Sequence, residues 1–92
     1  MSKEKAPVII YSTSWCAYCK MAVQYLASMD VPTVDKNIED DQSAHDELMA
    51  KIGGNFRGVP VIDIAGQLVL GFDRGKIDEY LRQFGYIKKH IN

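Results

Sequence analysis

A pair of cysteines three residues apart, between a short apolar run and a helical pattern, most constrains the fold of this chain. Cys16 and Cys19 are its only cysteines, and residues 8–11 form the apolar run, which is typical of a strand covered on both faces. The first thiol then lies at a helix start, where free backbone N–H groups and the helix dipole stabilise negative charge. Thiols so placed have pKa values of roughly 3.5–7.5 instead of about 8.5, so the pair indicates redox chemistry.

The rest of the sequence alternates between strand and helix patterns. Strands are predicted at residues 8–11, 33–38, 60–64 and 67–70, and helices at residues 17–29, 40–52 and 73–84. Asp40 or Asp41 and Asp73 are suitable N-caps for the second and third helices, and Ala65-Gly66 indicates a hairpin between the last two strands. The order βαβαββα predicts an α/β domain in which helices pack on a small mixed sheet.

Composition limits the binding partners and the cellular compartments that we expect for this protein. The net charge of -1 offers no basic field for nucleic acid, and no apolar run approaches the ~20 residues that cross a bilayer. Residues 1–7 are polar and lack the apolar stretch of a secretory signal. Two neighbouring cysteines do not make a secreted disulfide framework, which favours a cytoplasmic protein. We expect one domain over residues 1–92, with its core at residues 8–84.

Three motifs at these spacings resemble those of glutaredoxins, within the thioredoxin-fold superfamily. They are residues 11–20 (YSTSWCAYCK), the Val-Pro pair at 59–60 before a strand, and residues 71–73 (GFD) before the last helix. The resemblance covers residues 8–84, nearly the whole chain. It implies a thioredoxin-like fold with a four-stranded mixed sheet and three flanking helices. It also implies a thiol–disulfide oxidoreductase without a tightly bound cofactor.

The two cysteines are expected to have different roles in this chemistry. Cys16 is the expected nucleophile, and Lys20, one turn along, adds a positive charge that favours its thiolate. Cys19 shares a helix face with Ala22 and Val23, so we expect it to be more buried and less ionised. Cys16 then forms a mixed disulfide with the substrate, and Cys19 resolves it. The alternatives are a permanent structural disulfide, or a Cys16 that acts alone on glutathione-linked substrates.

The resemblance also implies roles for residues near the cysteines. Tyr18 lines the site and Trp15 shapes its rim, with aromatic packing as the alternative. The Val59–Pro60 peptide bond is expected to be cis, with an ordinary trans proline as the alternative. Such a bond exposes the backbone N–H and C=O of Val59, which can then pair with an extended thiol substrate.

Gly71, Phe72 and Asp73 open the last helix, whose free N–H groups can bind a carboxylate. In glutathione-using glutaredoxins the matching loop holds the γ-glutamyl end of the tripeptide. The resemblance therefore implies that Phe72 and Asp73 bind glutathione as a co-substrate. The alternative is that Asp73 is a plain N-cap.

At three positions the sequence departs from the pattern of glutathione-using glutaredoxins, and these departures bear on which electron donor the protein uses. Thr13 stands where Lys or Arg is common, Gly58 replaces Thr before Val-Pro, and Leu70 replaces the first glycine of a Gly-Gly pair. A missing cation weakens charge pairing with a carboxylate, and Arg57 is a candidate replacement. The Gly-Phe pair is similar to the glutaredoxin-like redoxins that reduce ribonucleotide reductase with electrons from thioredoxin reductase. Glutathione and thioredoxin reductase both stay candidate donors to a protein that reduces protein disulfides.

Other interpretations depend on the cysteine pair or on isolated polar residues. A zinc or iron–sulfur protein is the competing class, but two cysteines need further ligands from a dimer or from external thiols. A third interpretation is a docking domain whose cysteine pair takes part in no reaction. His45, His90 and Asp63 are expected to face solvent. A solvated helix start is expected for an acidic group consisting of Asp40, Asp41, Asp46 and Glu47.

Overall fold

The computed structural model describes residues 6–56 and 58–87, so Arg57 and His90 lie outside the described residues. Within those ranges, four strands and three helices follow in the predicted order. They are β1 (Val8–Ser12), α1 (Ala17–Ser28), β2 (Thr33–Asn37), α2 (Gln42–Ile52), β3 (Val61–Ile64), β4 (Gln67–Leu70) and α3 (Arg74–Gln83). None of these helices combines the length and the apolar character needed to cross a bilayer.

The strands form one mixed sheet in the order β2-β1-β3-β4. β1 is parallel to β2, whereas the β1–β3 and β3–β4 pairs are antiparallel. The end of β1 therefore lies beside the end of β2 and the start of β3, and the start of β3 lies beside the end of β4. One edge of the sheet gathers the cysteine segment and three loops. We call it the cysteine edge, and it consists of residues 12–19, 37–39, 59–60 and 70–73.

Local signals determine where α2 and the hairpin begin and end. Asp41, not Asp40, caps α2 by accepting hydrogen bonds from two backbone N–H groups of the first turn. Gly53 ends this helix in the left-handed conformation, with a φ of 66°. Ala65 and Gly66 also have positive φ, 52° and 94°. This is the two-residue turn whose twist matches that of a hairpin, so the predicted hairpin is confirmed.

Alternation along β1 sends its side chains to opposite faces of the sheet. Val8 and Ile10 join an apolar cluster with α1 and α3, while Ile9 and Tyr11 face α2. The buried residues of the first cluster are Val8, Ile10, Ala22, Leu26, Val31, Ile62, Ile64, Val69, Ile77 and Leu81. Those of the smaller α2 cluster are Tyr11, Ile38, Ala44, Leu48 and Val61. Full burial of a large aliphatic side chain stabilises by about 1.5–3 kcal/mol, so the first cluster supplies most of the hydrophobic stabilisation.

The α2 face also contains a buried carboxylate. Asp63 is only 8% exposed. Its Oδ2 accepts a hydrogen bond from Lys51 Nζ at 2.5 Å, and its Oδ1 accepts one from the N–H of Gly66 at 2.7 Å. The solvent-facing position expected for Asp63 is therefore wrong, because a cation and a backbone donor replace the water that an isolated carboxylate needs.

Glu47 belongs to the same polar region. Lys36 Nζ donates to its two carboxylate oxygens at 3.0 and 3.1 Å, and the Tyr11 hydroxyl donates to its Oε2. The Lys51 ammonium lies 5.0 Å from the centre of the Tyr11 ring. Tyr11, Lys36, Glu47, Lys51 and Asp63 are called the α2 network below. Glu47 is thus not the freely solvated group that was predicted, whereas Asp40, Asp41 and Asp46 are exposed as expected.

The contacts of the α2 network change the proton affinity of its members. Burial and the hydrogen bond to Glu47 raise the pKa of Tyr11 to about 12. The hydrogen bonds from Tyr11 and Lys36 lower the pKa of Glu47. Burial alone lowers the pKa of Lys51, but the hydrogen bond to Asp63 and the nearby Tyr11 side chain more than offset this effect, so the net change is upward. Each shift favours the protonation state that the observed hydrogen bonds require.

Candidate active site

Cys16 occupies the N-cap position of α1, with φ of -86° and ψ of 109°. Its Sγ accepts a hydrogen bond from the backbone N–H of Cys19 at 3.1 Å. This is the interaction that a Ser or Asp oxygen makes at other N-caps. The predicted placement of this sulfur at a helix start is confirmed. The N–H group and the positive end of the helix dipole both favour the ionised form of a thiol there.

Cys16 and Cys19 are joined as a disulfide, with their Cα atoms 5.3 Å apart. Cys16 is 5% exposed and Cys19 is 2% exposed. The order is the predicted one, but the difference is small, because the bridge holds both sulfur atoms at the same turn of α1. In this oxidised state the pair can accept two electrons.

Two aromatic side chains flank the disulfide in solvent. Trp15 is 71% exposed and Tyr18 is 62% exposed. Neither belongs to an apolar cluster, so the alternative of aromatic packing in the core does not apply. Lys20 is also exposed, in the first turn of α1, and its backbone N–H donates to the Cys16 carbonyl at 3.4 Å. Trp15, Tyr18 and Lys20 are therefore exposed residues that lie close to the two cysteines in the sequence.

Glu39 is a residue of this edge that the sequence analysis missed. Its Oε2 accepts a hydrogen bond from Trp15 Nε1 at 2.7 Å, and its Oε1 accepts one from the N–H of Ser14 at 3.4 Å. The loop after β2 is thereby tied to the segment before Cys16. No local pattern signals this contact, because the partners lie 24 and 25 residues away in the sequence.

The Val59–Pro60 peptide bond is cis, as the resemblance implied. The Pro60 side chain is buried, and its carbonyl accepts a hydrogen bond from the N–H of Gly71 at 2.8 Å. This bond ties the loop before β3 to the loop before α3 at the cysteine edge. Among the described residues, no backbone hydrogen bond uses the N–H or the C=O of Val59. Within residues 6–56 and 58–87, both groups are therefore unpaired at the cysteine edge.

The segment before α3 is anchored to the fold. Gly71 has a φ of 86°, which suits glycine, and the Phe72 ring packs edge-on against Tyr25, with 5.8 Å between ring centres. Asp73 caps α3, and its Oδ1 accepts a hydrogen bond from the N–H of Lys76 at 3.2 Å. The proposed alternative for Asp73, an N-cap, is thus its observed structural role. Phe72 is half-buried.

Thr13 stands at the position where a cation was considered for glutathione binding. It is 7% exposed, and its Oγ1 has no hydrogen-bond partner among the described residues. Its carbonyl accepts a hydrogen bond from the N–H of Cys16 at 3.3 Å. Arg57, the candidate replacement for the missing charge, lies outside the described residues. The described part of the edge therefore has a neutral, buried side chain at this point.

The metal-binding alternative needs more ligands than the cysteine pair supplies. Over residues 6–56 and 58–87 there is no group of three or more His, Cys, Asp or Glu side chains placed to hold a metal ion. Structural zinc sites use four ligands, so other chains or external thiols would have to complete such a site.

A four-stranded mixed sheet with a Cys-x-x-Cys disulfide at a helix start, and a cis-proline at the same edge, defines a redox protein of the thioredoxin fold. A family model described as Glutaredoxin matches residues 8–69. The "Uncharacterized glutaredoxin-like 8.6 kDa protein in rubredoxin operon" of Clostridium pasteurianum is 36% identical over 74 residues, which cover 80% of this chain and 96% of that protein. The chain therefore belongs to the glutaredoxin family.

Solved structures agree with this fold. The glutaredoxin-like protein NrdH-redoxin from Escherichia coli has a TM-score of 0.69 at 20% identity, covering 80% of this chain and 93% of that chain. A glutaredoxin from Archaeoglobus fulgidus has a TM-score of 0.70 at 24% identity, covering 84% of this chain and 87% of that chain. At these identities the similarity shows the shared fold alone.

Proposed function

We propose that this protein reduces disulfide bonds of other proteins through the Cys16–Cys19 dithiol. The observation that carries the proposal is the hydrogen bond from the Cys19 N–H to Cys16 Sγ at the start of α1. That bond and the helix dipole favour the thiolate, which is the form that attacks disulfides. Cys16 is therefore the nucleophile, and Cys19, three residues further along the chain, is the resolving thiol.

The proposed reaction has two exchange steps. The Cys16 thiolate attacks one sulfur of the substrate disulfide and forms a mixed disulfide, while the other substrate sulfur leaves with the bonding electron pair and takes up a proton. Cys19 then loses its proton and attacks the Cys16 sulfur. The Cys16–Cys19 disulfide forms and the second substrate thiol is released. Two electrons and two protons have then passed to the substrate.

The cysteine edge offers two features for holding a protein substrate. The N–H and C=O of Val59, which have no backbone partner among the described residues, can pair with an extended segment as an added strand. The exposed rings of Trp15 and Tyr18 and the exposed Leu70 side chain supply apolar surface that such a segment can cover. A polypeptide that carries its disulfide in an extended segment matches both features.

We propose a protein reductase of the thioredoxin reductase class, in preference to glutathione, as the electron donor. The neutral, buried Thr13 supports this choice, since it supplies no charge for a glutathione carboxylate. The Escherichia coli NrdH-redoxin, which shares the fold, is described as having a thioredoxin-like activity profile. Electrons then pass from the reductase to the Cys16–Cys19 disulfide and regenerate the dithiol.

A coupled assay run by two routes tests the proposal, with insulin as the disulfide substrate. One route supplies NADPH, glutathione reductase and glutathione, and the other supplies NADPH and thioredoxin reductase. We expect faster turnover with thioredoxin reductase, and a faster glutathione route would contradict the proposed donor. Absence of turnover by both routes would contradict the proposed function itself.

Variants of the two cysteines separate their roles. We expect Cys16→Ser to reduce turnover to background, because a serine hydroxyl does not ionise at neutral pH. Cys19→Ser retains the nucleophile, so mass spectrometry should find a mixed disulfide between Cys16 and insulin. Substantial turnover in Cys16→Ser would refute the assignment of the nucleophile. Full turnover in Cys19→Ser would show that Cys16 acts alone.

A further inference from the structure

Glu39 connects two segments of the cysteine edge that lie far apart in the sequence. Its carboxylate accepts hydrogen bonds from Trp15 Nε1 at 2.7 Å and from the Ser14 N–H at 3.4 Å, through different oxygens. Asn37 holds Glu39 in place, because its Oδ1 accepts from the Glu39 N–H at 2.8 Å. Asn37 Nδ2 in turn donates to Ser14 Oγ at 3.2 Å. The segment before Cys16 is thus attached to the loop after β2.

The Trp15 ring depends on Glu39 for its orientation. It is 71% exposed and belongs to neither apolar cluster. An indole has a single hydrogen-bond donor, and here that donor is bound to Glu39. The exposed ring therefore has one directional contact among the described residues, and it belongs to the residue that precedes Cys16 in the chain. Without the contact the ring would sample several rotamers.

We infer that Glu39 is a positioning residue for protein substrates. It holds the Trp15 indole in one orientation, so that the ring is an already ordered part of the substrate-binding surface beside Cys16. The inference rests on the proposed function and adds the residue that prepares the docking surface. Ordering a mobile side chain on binding weakens affinity, so a ring that is already ordered binds the substrate more tightly. Glu39 touches neither sulfur nor substrate in this account, and it acts through Trp15.

The first measurement reports on the ring itself. Trp15 is the only tryptophan in the chain, so time-resolved fluorescence anisotropy follows this side chain alone. In Glu39→Ala we expect a larger amplitude of fast local motion than in the natural protein. Glu39→Gln keeps an amide oxygen that can accept the indole N–H and should stay near the natural amplitude. Asp40→Asn, an exposed neighbour that loses the same charge, is the matched control.

The second measurement separates docking from chemistry, with dithiothreitol as the reductant so that no particular donor is assumed. For insulin, we expect Glu39→Ala to raise KM about two- to tenfold and to leave kcat within about twofold, since ordering one side chain accounts for a change of this size. For hydroxyethyl disulfide, which is too small to cover the ring, kcat/KM should stay unchanged. Asp40→Asn should behave like the natural protein with both substrates.

A double-mutant cycle with Trp15→Phe tests whether Glu39 acts through the ring. Phe keeps an aromatic surface but has no N–H for Glu39, so adding Glu39→Ala to Trp15→Phe should not raise the insulin KM further. The inference is overturned if the two changes add fully, if both substrates are affected equally, or if the anisotropy of Glu39→Ala equals that of Asp40→Asn. If the natural protein reduces neither substrate, the proposed function fails instead.

Discussion

The cysteine edge exposes apolar side chains to solvent, whereas the α2 network buries polar and charged side chains. At the cysteine edge, Trp15, Tyr18 and Leu70 keep more than half of their surface in solvent. In the α2 network, Tyr11 is fully buried and Asp63 nearly so. Exposed apolar surface forgoes the stabilisation of burial, and a buried charge costs free energy unless it is paired.

The difference shows which region has its polar groups paired within the chain. Each charge of the α2 network has a partner, as in the Lys51–Asp63 pair and the Lys36–Glu47 pair. Among the described residues, Trp15, Tyr18 and Leu70 at the cysteine edge have a single side-chain hydrogen bond, the one between Trp15 and Glu39. We therefore expect changes in the network to alter stability, and changes at the edge to alter the binding of substrates.

Asp63→Asn should lower the free energy of unfolding by about 1–2 kcal/mol, measured with urea at pH 7. Breaking a fully buried ion pair costs about 3–5 kcal/mol, but Lys51 is partly exposed and can regain some water. Asn keeps an oxygen for the Gly66 N–H, so the change reports mainly on the lost charge. Insulin reduction should change less than twofold.

Glu79→Gln on the exposed face of α3 is the matched control for Asp63→Asn, and it should shift the free energy of unfolding by less than about 0.5 kcal/mol. A loss of activity in Asp63→Asn with unchanged stability would break the proposed division between the two regions.

Tyr18→Ala should raise the KM for insulin about three- to tenfold, because an exposed aromatic side chain at a binding surface often contributes about 1 kcal/mol. The free energy of unfolding should change by less than about 0.5 kcal/mol, since the ring packs against no cluster. Val34→Ala removes an exposed apolar side chain from the opposite end of β2 and serves as the comparison. An equal rise in KM for both variants would mean that the rim has no special role.

In Glu47→Gln, the free energy of unfolding should fall less steeply with decreasing pH than in the natural protein. The hydrogen bonds from Tyr11 and Lys36 lower the pKa of Glu47 below its ordinary value of 4.5. As the pH falls, the Glu47 carboxylate therefore takes up a proton in the unfolded state before it does so in the folded state. The stabilisation is complete above pH 4.5 and is lost as the pH falls through the lowered pKa. Because Glu47 is partly solvated, we expect a contribution below about 1 kcal/mol.

Urea unfolding at pH 7, 5, 4 and 3.5 measures this contribution, with Asp46→Asn as an exposed comparison on the same helix. Identical acid slopes for Glu47→Gln and the natural protein would contradict it.

The helices, strands and turns could be predicted because their signals lie within a few residues. Asp41 and Gly53 bound α2 through their own backbone and side-chain geometry, and Ala65-Gly66 determines the hairpin in the same way. Cys16 was placed at a helix start for the same reason. The choice of Asp41 over Asp40 was open, since both have the side chain of an N-cap; in the structure Asp41 has the extended backbone of that position, and Asp40 lies in the preceding turn.

Asp63, Glu47 and Glu39 were not predictable because their partners are distant in the sequence. Asp63 looked like a solvent-facing interruption of an apolar strand until Lys51, 12 residues earlier, came to lie beside it. Glu39 looked like part of a loop, and its bond to Trp15 exists only because β1 and β2 are parallel neighbours that end together.

Residue order alone was enough to predict the element order and the position of the Cys16 sulfur at a helix start, because hydrogen bonds across a few residues govern both. The folded chain was required to reveal which charges are buried with a partner, which aromatic rings stay uncovered and which carboxylate holds Trp15. Those outcomes depend on the pairing of strands, which brings together side chains that no local pattern connects.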